Sequence, residues 1–405
     1  MSERASLAVL FLVLVVNVLG IGLMLPVVPM LVRELAGGEI SSASTIYGWL
    51  IALYSLMQFT FGPTLGALSD RFGRRPVILS SLTGLALDYL LLAVAPDLWI
   101  LALARIVGGV MGASLSTANA YIADITPPER RAQNFGILGV AFGIGFVAGP
   151  ALGGLLAEHG SRVPFYAAAV ACAVAFVLAW FFLPESLKPE NRRPFAWREA
   201  NPFGAFLMLR RHRVVAVILA VFALAQLAER MLEATWVLFT AHEYAWSAGE
   251  IGLSLAFVGA LFIISQGVLV RLVMPKVGEP RVATIGLVVG AVSFLLFAVA
   301  VWPSILFAVL VPYILVWGLV GPALQAMITR SVDANQQGTL QGVISATSTA
   351  TGVVAPPVGG ALFGYFIGPT APFAFPGAAF FAGSLLFLAA FLVWRRARLG
   401  ALVGG

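Results

Sequence analysis

Two long apolar segments are separated by the stretch Gly66-Ala67-Leu68-Ser69-Asp70-Arg71-Phe72-Gly73-Arg74-Arg75. Residues 46–67 before it carry no charge, and residues 77–95 after it carry a single acid. A helix of roughly 20 apolar residues crosses a hydrocarbon core about 30 Å thick. The stretch therefore predicts a short charged loop between two membrane-spanning helices, with glycines that permit a tight turn and close helix approach.

The rest of the chain repeats this alternation. Its 405 residues are 60% hydrophobic and only 10% charged, whereas soluble domains carry about 25% charged residues. Apolar runs fall at 7–33, 46–67, 77–95, 98–122, 134–157, 163–183, 214–239, 250–272, 283–301, 304–328, 338–366 and 373–394. The alternating pattern of a β-barrel is missing from the sequence, so we predict an all-α integral membrane protein with twelve transmembrane helices.

The positions of Lys and Arg predict the orientation. With twelve spans, both termini and the loop at Asp70 share one side of the membrane. That side holds 20 of the 24 basic residues, and the opposite side holds only Arg33 and Arg162. Because cytoplasmic loops carry the excess of Lys and Arg, we predict cytoplasmic termini.

The net charge of +6 is not a sign of nucleic-acid binding, because the basic residues lie in short clusters between apolar runs rather than on one face. The single cysteine, Cys172, lies in an apolar run and is expected to pack there. His159, His212 and His242 lie far apart without metal-ligand spacing. We expect no metal, no cofactor and no nucleic-acid partner.

The first run, residues 7–33, is too long for a signal peptide and is predicted to be a retained span.

A polar stretch rich in proline and charge, from about Pro184 to Arg213, separates spans six and seven. We predict an N-terminal six-helix bundle at 1–184, a cytoplasmic linker at 185–213 and a C-terminal six-helix bundle at 214–405. Residues of span five recur 206 positions later in span eleven: Gly136, Gly149, Pro150, Gly153 and Gly154 correspond to Gly342, Ala355, Pro356, Gly359 and Gly360. This repeat predicts two pseudo-symmetric halves.

Two charged residues are expected to meet inside the membrane. Asp88 lies about eleven residues into span three, roughly 17 Å from its Asp70 end. Arg105 lies about seven residues, roughly 10 Å, from the opposite end of span four. The depths agree, so an ion pair is feasible. Charges in this position are candidates for a functional site, and a static structural pair is the alternative.

Span seven carries three charges, Glu229, Arg230 and Glu233. The two glutamates are four residues apart and share a helix face, while Arg230 points about 100° away. They could bind protons or attract a cationic substrate, because burial disfavours a charged carboxylate. In the alternative interpretation, Glu233 is solvated near the interface and Arg230 neutralises Glu229.

Uncharged polar residues inside the spans are candidates for lining a cavity or for bonding helices together: Asn17, Gln58, Asn119, Gln226, Gln266 and Gln325.

The loop at Asp70 resembles the Gly-x-x-x-Asp-Arg-x-Gly-Arg-Arg loop of the major facilitator superfamily. Span five, Gly136-x8-Gly145-x3-Gly149-Pro150-x2-Gly153, resembles the antiporter motif of exporters in that superfamily. The alternative for span five is a kink with no bearing on the direction of transport. The resemblance implies two six-helix bundles, function as a monomer, and transport of a small molecule across the lipid bilayer.

More of the chain resembles the bacterial tetracycline/proton antiporters, including Gly20-Ile-Gly-Leu-Met-Leu-Pro26, Leu87-Asp88-Tyr and Tyr121-Ile-Ala-Asp124-Ile-Thr. The resemblance implies a cytoplasmic charge-relay gate of Asp70, Arg74 and Asp124, with Arg71 and Arg75 beside it. It also implies a required carboxylate at Asp88, a span-four arginine at Arg105 and a span-eight glutamine at Gln266.

The chain departs from that family at three positions. Asn17 replaces an Asp of span one, Phe262 a His of span eight, and Gly290 an Asp of span nine, while Glu229 and Glu233 are additional acids. We therefore expect a proton-coupled exporter of amphipathic small molecules or drugs. The alternatives are a tetracycline-specific exporter and a metabolite importer or facilitator. No nucleophile and base occur in a pattern typical of an enzyme.

Overall fold

The computed structural model describes residues 3–112, 114–127, 131–194, 213–332 and 337–403. Within these ranges the regular structure is helical, with no strand. The α-helices are α1 Glu3–Met24, α2 Val28–Leu35, α3 Ile40–Phe72, α4 Arg74–Val94, α5 Leu98–Met111, α6 Ser114–Ile125, α7 Arg131–Ala157, α8 Val163–Phe182, α9 Arg213–Glu243, α10 Ala248–Ile264, α11 Val270–Val277, α12 Glu279–Ala298, α13 Pro303–Arg330, α14 Gln337–Ile367 and α15 Ala378–Val403. A 3₁₀ turn spans Pro189–Asn191, and a π-helical turn spans Ser265–Leu269.

Eleven helices in the described ranges are long and apolar enough to cross a membrane by length and composition. They correspond to eleven of the twelve predicted spans. The remaining span, 98–122, is divided into α5 and the shorter α6. Gly112 ends α5, and its carbonyl accepts a 3.4 Å hydrogen bond from Gln58 Nε2. Glycine is a poor helix former, and Gln58 satisfies the carbonyl that the break exposes.

Two other predicted spans are interrupted. The first, 7–33, contains a turn between α1 and α2, because Pro26 has no N–H for a bond to Gly22. The turn is closed instead by Leu25 N bonding Gly22 O at 3.2 Å and Val27 N bonding Met24 O at 3.0 Å. The eighth, 250–272, contains the π-helical turn between α10 and α11. Such turns are frequent at functional sites.

Capping residues define two helix starts. Asp97 precedes α5, and its side chain accepts from Trp99 N at 2.9 Å and Ile100 N at 3.0 Å. Ser247 precedes α10, where its hydroxyl accepts from Glu250 N at 3.2 Å while Glu250 Oε2 accepts from Ser247 N at 2.8 Å. This reciprocal pair is a capping box.

The described helices form two compact units. The first unit contains α1, α2, α3 from Leu53 onward, α4 to α8, and α10 up to Phe257. The second unit contains the start of α3 up to Ala52, α9, α10 from Val258 onward, and α11 to α15. Both α3 and α10 are thus shared between units. The division into bundles at the 185–213 linker stays a prediction.

The core of the second unit is aromatic. Phe294 of α12 lies 5.0 Å from Phe387 and 5.5 Å from Tyr313, measured between ring centroids. Trp317 of α13 meets Phe387 edge-on at 5.2 Å and stacks on Tyr313 at 6.4 Å. Edge-to-face packing of this kind adds stabilisation beyond the buried area. It positions Trp317 beside α9.

Candidate functional site

The loop between α3 and α4 centres on Arg74, the first residue of α4. Its Nη1 donates to Asp70 Oδ1 at 2.5 Å and to Ser69 Oγ at 2.6 Å. Its Nε donates to Asp124 Oδ2 of α6 at 3.1 Å. We call Asp70, Arg74 and Asp124 the Arg74 cluster. The structure brings together the three residues for which the resemblance to the tetracycline antiporters implies a charge-relay gate.

The other two arginines of the loop point elsewhere. Arg71 is exposed and lies 5.0 Å from the ring of Phe72. Arg75 reaches α8, where Nη2 donates to the Trp180 carbonyl at 2.5 Å and the guanidinium lies 5.5 Å from the Trp180 ring. Arg71 and Arg75 therefore lie outside the Arg74 cluster.

Glu185, just after α8, joins the loop and was missed by sequence reasoning. Its carboxylate accepts from Arg74 N at 2.8 Å and Arg75 N at 3.2 Å, which are the first N–H groups of α4. It also accepts from Ser186 N and Leu187 N, each at 3.0 Å. The residue before α4 is Gly73, at φ +108°, which has no side chain to cap the helix. Glu185 supplies the cap from 111 residues away.

The segment after α8 makes two further contacts with the same cluster. Ser186 Oγ donates to Asp124 Oδ2 at 3.0 Å, and Arg193 N donates to the Asp70 carbonyl at 3.1 Å. The Arg74 cluster is thus held both by α6 and by the start of the predicted linker. The sequence Glu185-Ser186 after an apolar run has no motif that predicts contact with the Arg74 cluster.

Asp88 and Arg105 form the ion pair that their depths predict. Arg105 Nη2 donates to Asp88 Oδ1 at 2.6 Å and to Oδ2 at 2.8 Å, and both residues are buried. The guanidinium also lies 5.7 Å from the ring of Tyr54 and 3.5 Å from Met24 Sδ. A methyl group built at Gly108 would lie 2.6 Å from Asp88 Oδ2, so only glycine leaves room for the carboxylate. Among the described residues, buried Arg105 Nε has no hydrogen-bond partner.

The three charges of α9 do not pair as the alternative interpretation expects. Arg230 Nη1 pairs with Glu233 Oε2 at 2.7 Å rather than with Glu229, and the side chains are 36% and 52% exposed, respectively. Glu229 Oε1 is buried and has no hydrogen-bond partner in the described part of the chain. Its carboxyl group has Trp317 of α13 as a hydrogen-bond neighbour. Glu229 lies sixteen residues into α9, roughly 24 Å along the helix axis.

The polar candidates fall into three groups. Asn17 is buried and Asn119 exposed, and each has an interaction partner. Gln58 bonds the end of α5, and Gln226 Nε2 donates to Ser348 Oγ of α14 at 3.3 Å, so both join helices. Gln266, in the π-helical turn, and Gln325 of α13 have exposed side chains. The structure therefore shows a contact between helices for Gln58 and Gln226, and the cavity-lining role of all six residues stays a prediction.

The glycines of α7 form a close contact with α1. Methyl groups built at Gly145 and Gly149 would lie 2.7 Å from Val18 Cβ and 2.6 Å from the Cα of Gly22. One at Gly153 would meet the backbone of Leu23. Small residues at four-residue spacing allow helix backbones to approach this closely.

Pro150 and Gly136 complete the span-five motif. Pro150 lies inside α7, with Cδ 2.8 Å from a methyl group built at Gly22. A methyl group at Gly252 of α10 would contact the Pro150 carbonyl. Gly136 lies in α7, but its surroundings are outside the described residues. The link between this motif and export stays a prediction.

Two departures from the tetracycline antiporters have a structural setting. At Gly290 of α12, a methyl group would lie 2.7 Å from the ring of Phe387, so the aromatic core occupies the space of a side chain. Phe262 of α10 is exposed. Among the described residues, no group of three or more His, Cys, Asp or Glu side chains is placed to hold a metal ion.

Long apolar helices, a buried ion pair and a charged loop that ties helix ends together define a polytopic membrane transporter. The profile described as Major Facilitator Superfamily matches residues 10–232 and 218–401. The chain belongs to the Major Facilitator Superfamily, and within it to the family of the bacterial tetracycline resistance proteins.

Three relatives illustrate the similarity. The class C tetracycline resistance protein of Escherichia coli is 40% identical over 98% of each chain. The class G protein of Vibrio anguillarum is 37% identical, over 97% of this chain and 98% of the relative. The crystal structure of the human organic anion transporter MFSD10 (TETRAN) superposes with a TM-score of 0.72 at 25% identity, over 97% of this chain and 100% of that chain.

Proposed function

We propose that the chain exports amphipathic drugs, including tetracycline-type molecules, across the inner membrane in exchange for protons by alternating access. The observation that carries this proposal is the buried pair of Asp88 and Arg105, with donor–acceptor distances of 2.6 and 2.8 Å. Removing one partner of such a pair costs about 3–5 kcal/mol. An apolar pair of similar size would avoid that vulnerability, which favours a functional reason for the charges.

In this proposal, Asp88 alternates between two states. When it is ionised, Arg105 neutralises it, and when it takes a proton, Arg105 is released to a new acceptor. Arg105 Nε is buried without a partner among the described residues, so its N–H can donate a hydrogen bond to the new acceptor. Tyr54 and Met24 keep the guanidinium in place meanwhile.

The Arg74 cluster is the proposed cytoplasmic gate. Its ion pairs join α4 to α6, and the segment after α8 contacts α4 through Glu185 and α6 through Ser186. Partly exposed pairs of this kind can exchange partners at low cost. The excess of basic residues on this side supports cytoplasmic termini. We propose that one chain is sufficient for transport, with its two bundles separated at the linker.

The substrate range is proposed to be wider than tetracycline. Relatives named tetracycline resistance proteins are 40% and 37% identical, which favours tetracycline as one substrate. However, Asn17, Phe262 and Gly290 replace three groups associated with that drug. A tetracycline-specific exporter is the second candidate, favoured by the identity of these relatives.

Drug resistance and vesicle transport test this proposal. The chain is expressed in a drug-sensitive host and challenged with tetracycline and with ethidium, a permanent cation. Everted vesicles with an acidic lumen should accumulate drug, and drug entry should release lumenal protons. Asp88→Asn should abolish both effects, while Glu190→Gln, an exposed control, should not. Movement out of these vesicles would indicate an importer, and resistance to tetracycline alone would favour the second candidate.

A further inference from the structure

The α9 charge cluster, Glu229, Arg230 and Glu233, contains two buried polar atoms that its ion pair leaves unused. Neither Glu229 Oε1 nor Arg230 Nε has a hydrogen-bond partner in the described ranges. A carboxylate removed from water without a partner for its charge is strongly disfavoured. The protonated acid is the form that such a site tolerates.

Asp88 differs from Glu229 in having a partner for its charge. Both oxygens of Asp88 accept from Arg105, so the charge is balanced by a cation on the next helix. The cation nearest to Glu229 in sequence, Arg230, is instead engaged by Glu233 at 2.7 Å. Among the described residues, the charge of Asp88 is therefore balanced by a cation, whereas Glu229 Oε1 is buried without a partner.

In the part of the chain that the structure describes, the helices that pack most extensively on α9 offer Glu229 no other cation. These are α13, α14 and α15. Their basic residues lie only at the helix ends, at Arg330, Arg395, Arg396 and Arg398. Near Glu229, α13 contributes the indole N–H of Trp317, which can only donate, and Tyr313 stacked behind it. On α9 itself, His242 and Glu243 lie at the far end.

We infer that Glu229 is a proton-binding site and that Arg230 is its switchable counter-ion. With the Glu229 O–H bond intact, Arg230 pairs with Glu233 and the cluster is neutral. When that bond breaks, the proton passes to water, and Arg230 turns to the new carboxylate. Glu233, with its side chain 52% exposed, is then solvated instead of paired. The pair of Arg230 and Glu233 is less deeply buried than that of Asp88 and Arg105, so it can separate without leaving two fully buried charges.

This inference rests on the proposed function, because it names a second group that takes the exchanged proton. A substrate-free measurement keeps the two separate. Infrared spectra of the purified full-length chain at pH 7 report protonated carboxyl groups by their C=O stretch. Glu229→Gln should remove one such band, and Glu243→Gln, a control at the end of the same helix, should leave it. Retention of the band in Glu229→Gln would overturn the assignment.

The variant Glu233→Gln tests whether Arg230 changes its partner from Glu233 to Glu229. In Glu233→Gln, Arg230 loses its partner and is free to pair with ionised Glu229. The band at pH 7 should then fall at least twofold. An unchanged band would overturn the counter-ion exchange. Glu229→Asp keeps a carboxyl group and should therefore retain a band at a shifted frequency. That band would show that a substitution at this position does not remove the signal through misfolding.

Transport in proteoliposomes completes the test, with tetracycline and magnesium as the probe. Wild-type chain that moves drug without moving protons would contradict the proposed function and leave the infrared assignment standing. Proton-coupled export that persists unaltered in Glu229→Gln would overturn the role of Glu229 and leave the proposed function standing. We expect Glu229→Gln to reduce proton release per drug moved by at least twofold, with Glu243→Gln unchanged.

Discussion

Replacing Gly149 with alanine should destabilise the contact between α1 and α7. The added methyl group would lie 2.6 Å from Gly22 Cα, 2.9 Å from Leu19 O and 3.0 Å from Gly22 C. All three are backbone atoms, which cannot swing aside as a flexible side chain can. Reaching an ordinary contact distance of 3.4 Å from 2.6 Å requires the helices to separate by about 0.8 Å.

The energetic cost follows from that displacement. A gap of about 0.5–1 Å forfeits a quarter to a half of the dispersion energy of each contact, and overpacking typically costs about 1–3 kcal/mol. Alanine is also the better helix former by about 0.5–1 kcal/mol, which partly offsets the loss. In a membrane, helix association depends on such packing because lipid supplies no hydrophobic force between helices.

Gly139→Ala is the matched control on the same helix. A methyl group built there meets no atom of the described residues within 4 Å, and the position is exposed. Both variants gain the same helix propensity, so their difference isolates the clash. Thermal unfolding of the two purified variants should differ by the 1–3 kcal/mol of overpacking, roughly 2–4 °C per kcal/mol. Equal unfolding temperatures would refute the close approach of α1 and α7.

Three other outcomes are expected. Glu185→Gln weakens the cap of α4 and should lower the free energy of unfolding by about 1 kcal/mol. Thermal unfolding measures this loss, with exposed Glu190→Gln as the control. Equal shifts in the two variants would contradict the cap. Asp88→Asn leaves Arg105 buried without a counter-charge and should cost about 3–5 kcal/mol. The double variant with Arg105→Gln should regain most of that stability in thermal melts but no export, and export in the double variant would exclude the pair from coupling. Ser247→Ala removes half of a capping box and should cost about 1 kcal/mol with export retained in vesicles; unaltered stability would count against the cap.

Much of the architecture follows from local sequence. Eleven of the predicted spans correspond to helices long enough to cross a membrane, because apolar runs leave the backbone no hydrogen-bond partner except itself. The pairing of Asp88 with Arg105 was also predictable, because both depths can be counted from nearby loops. The interruptions were harder to foresee. The break after Gly112 depends on Gln58 of another helix, and the π-helical turn depends on Ser265 Oγ donating to the Leu315 carbonyl at 2.7 Å.

The amino-acid sequence alone indicates that this protein lies in a membrane, where its charged loops are, and which acids and bases enter the apolar interior. These properties depend on the composition and spacing of each segment, because the length of its apolar run and the charges beside it determine whether and how it crosses the bilayer. Other properties depend on how the helices pack. Glu185 caps α4, Arg230 pairs with Glu233, and Phe387 fills the space beside Gly290. Each depends on side-chain directions or on helices distant in sequence, and packing alone sets which polar atom finds a partner and which is left without one.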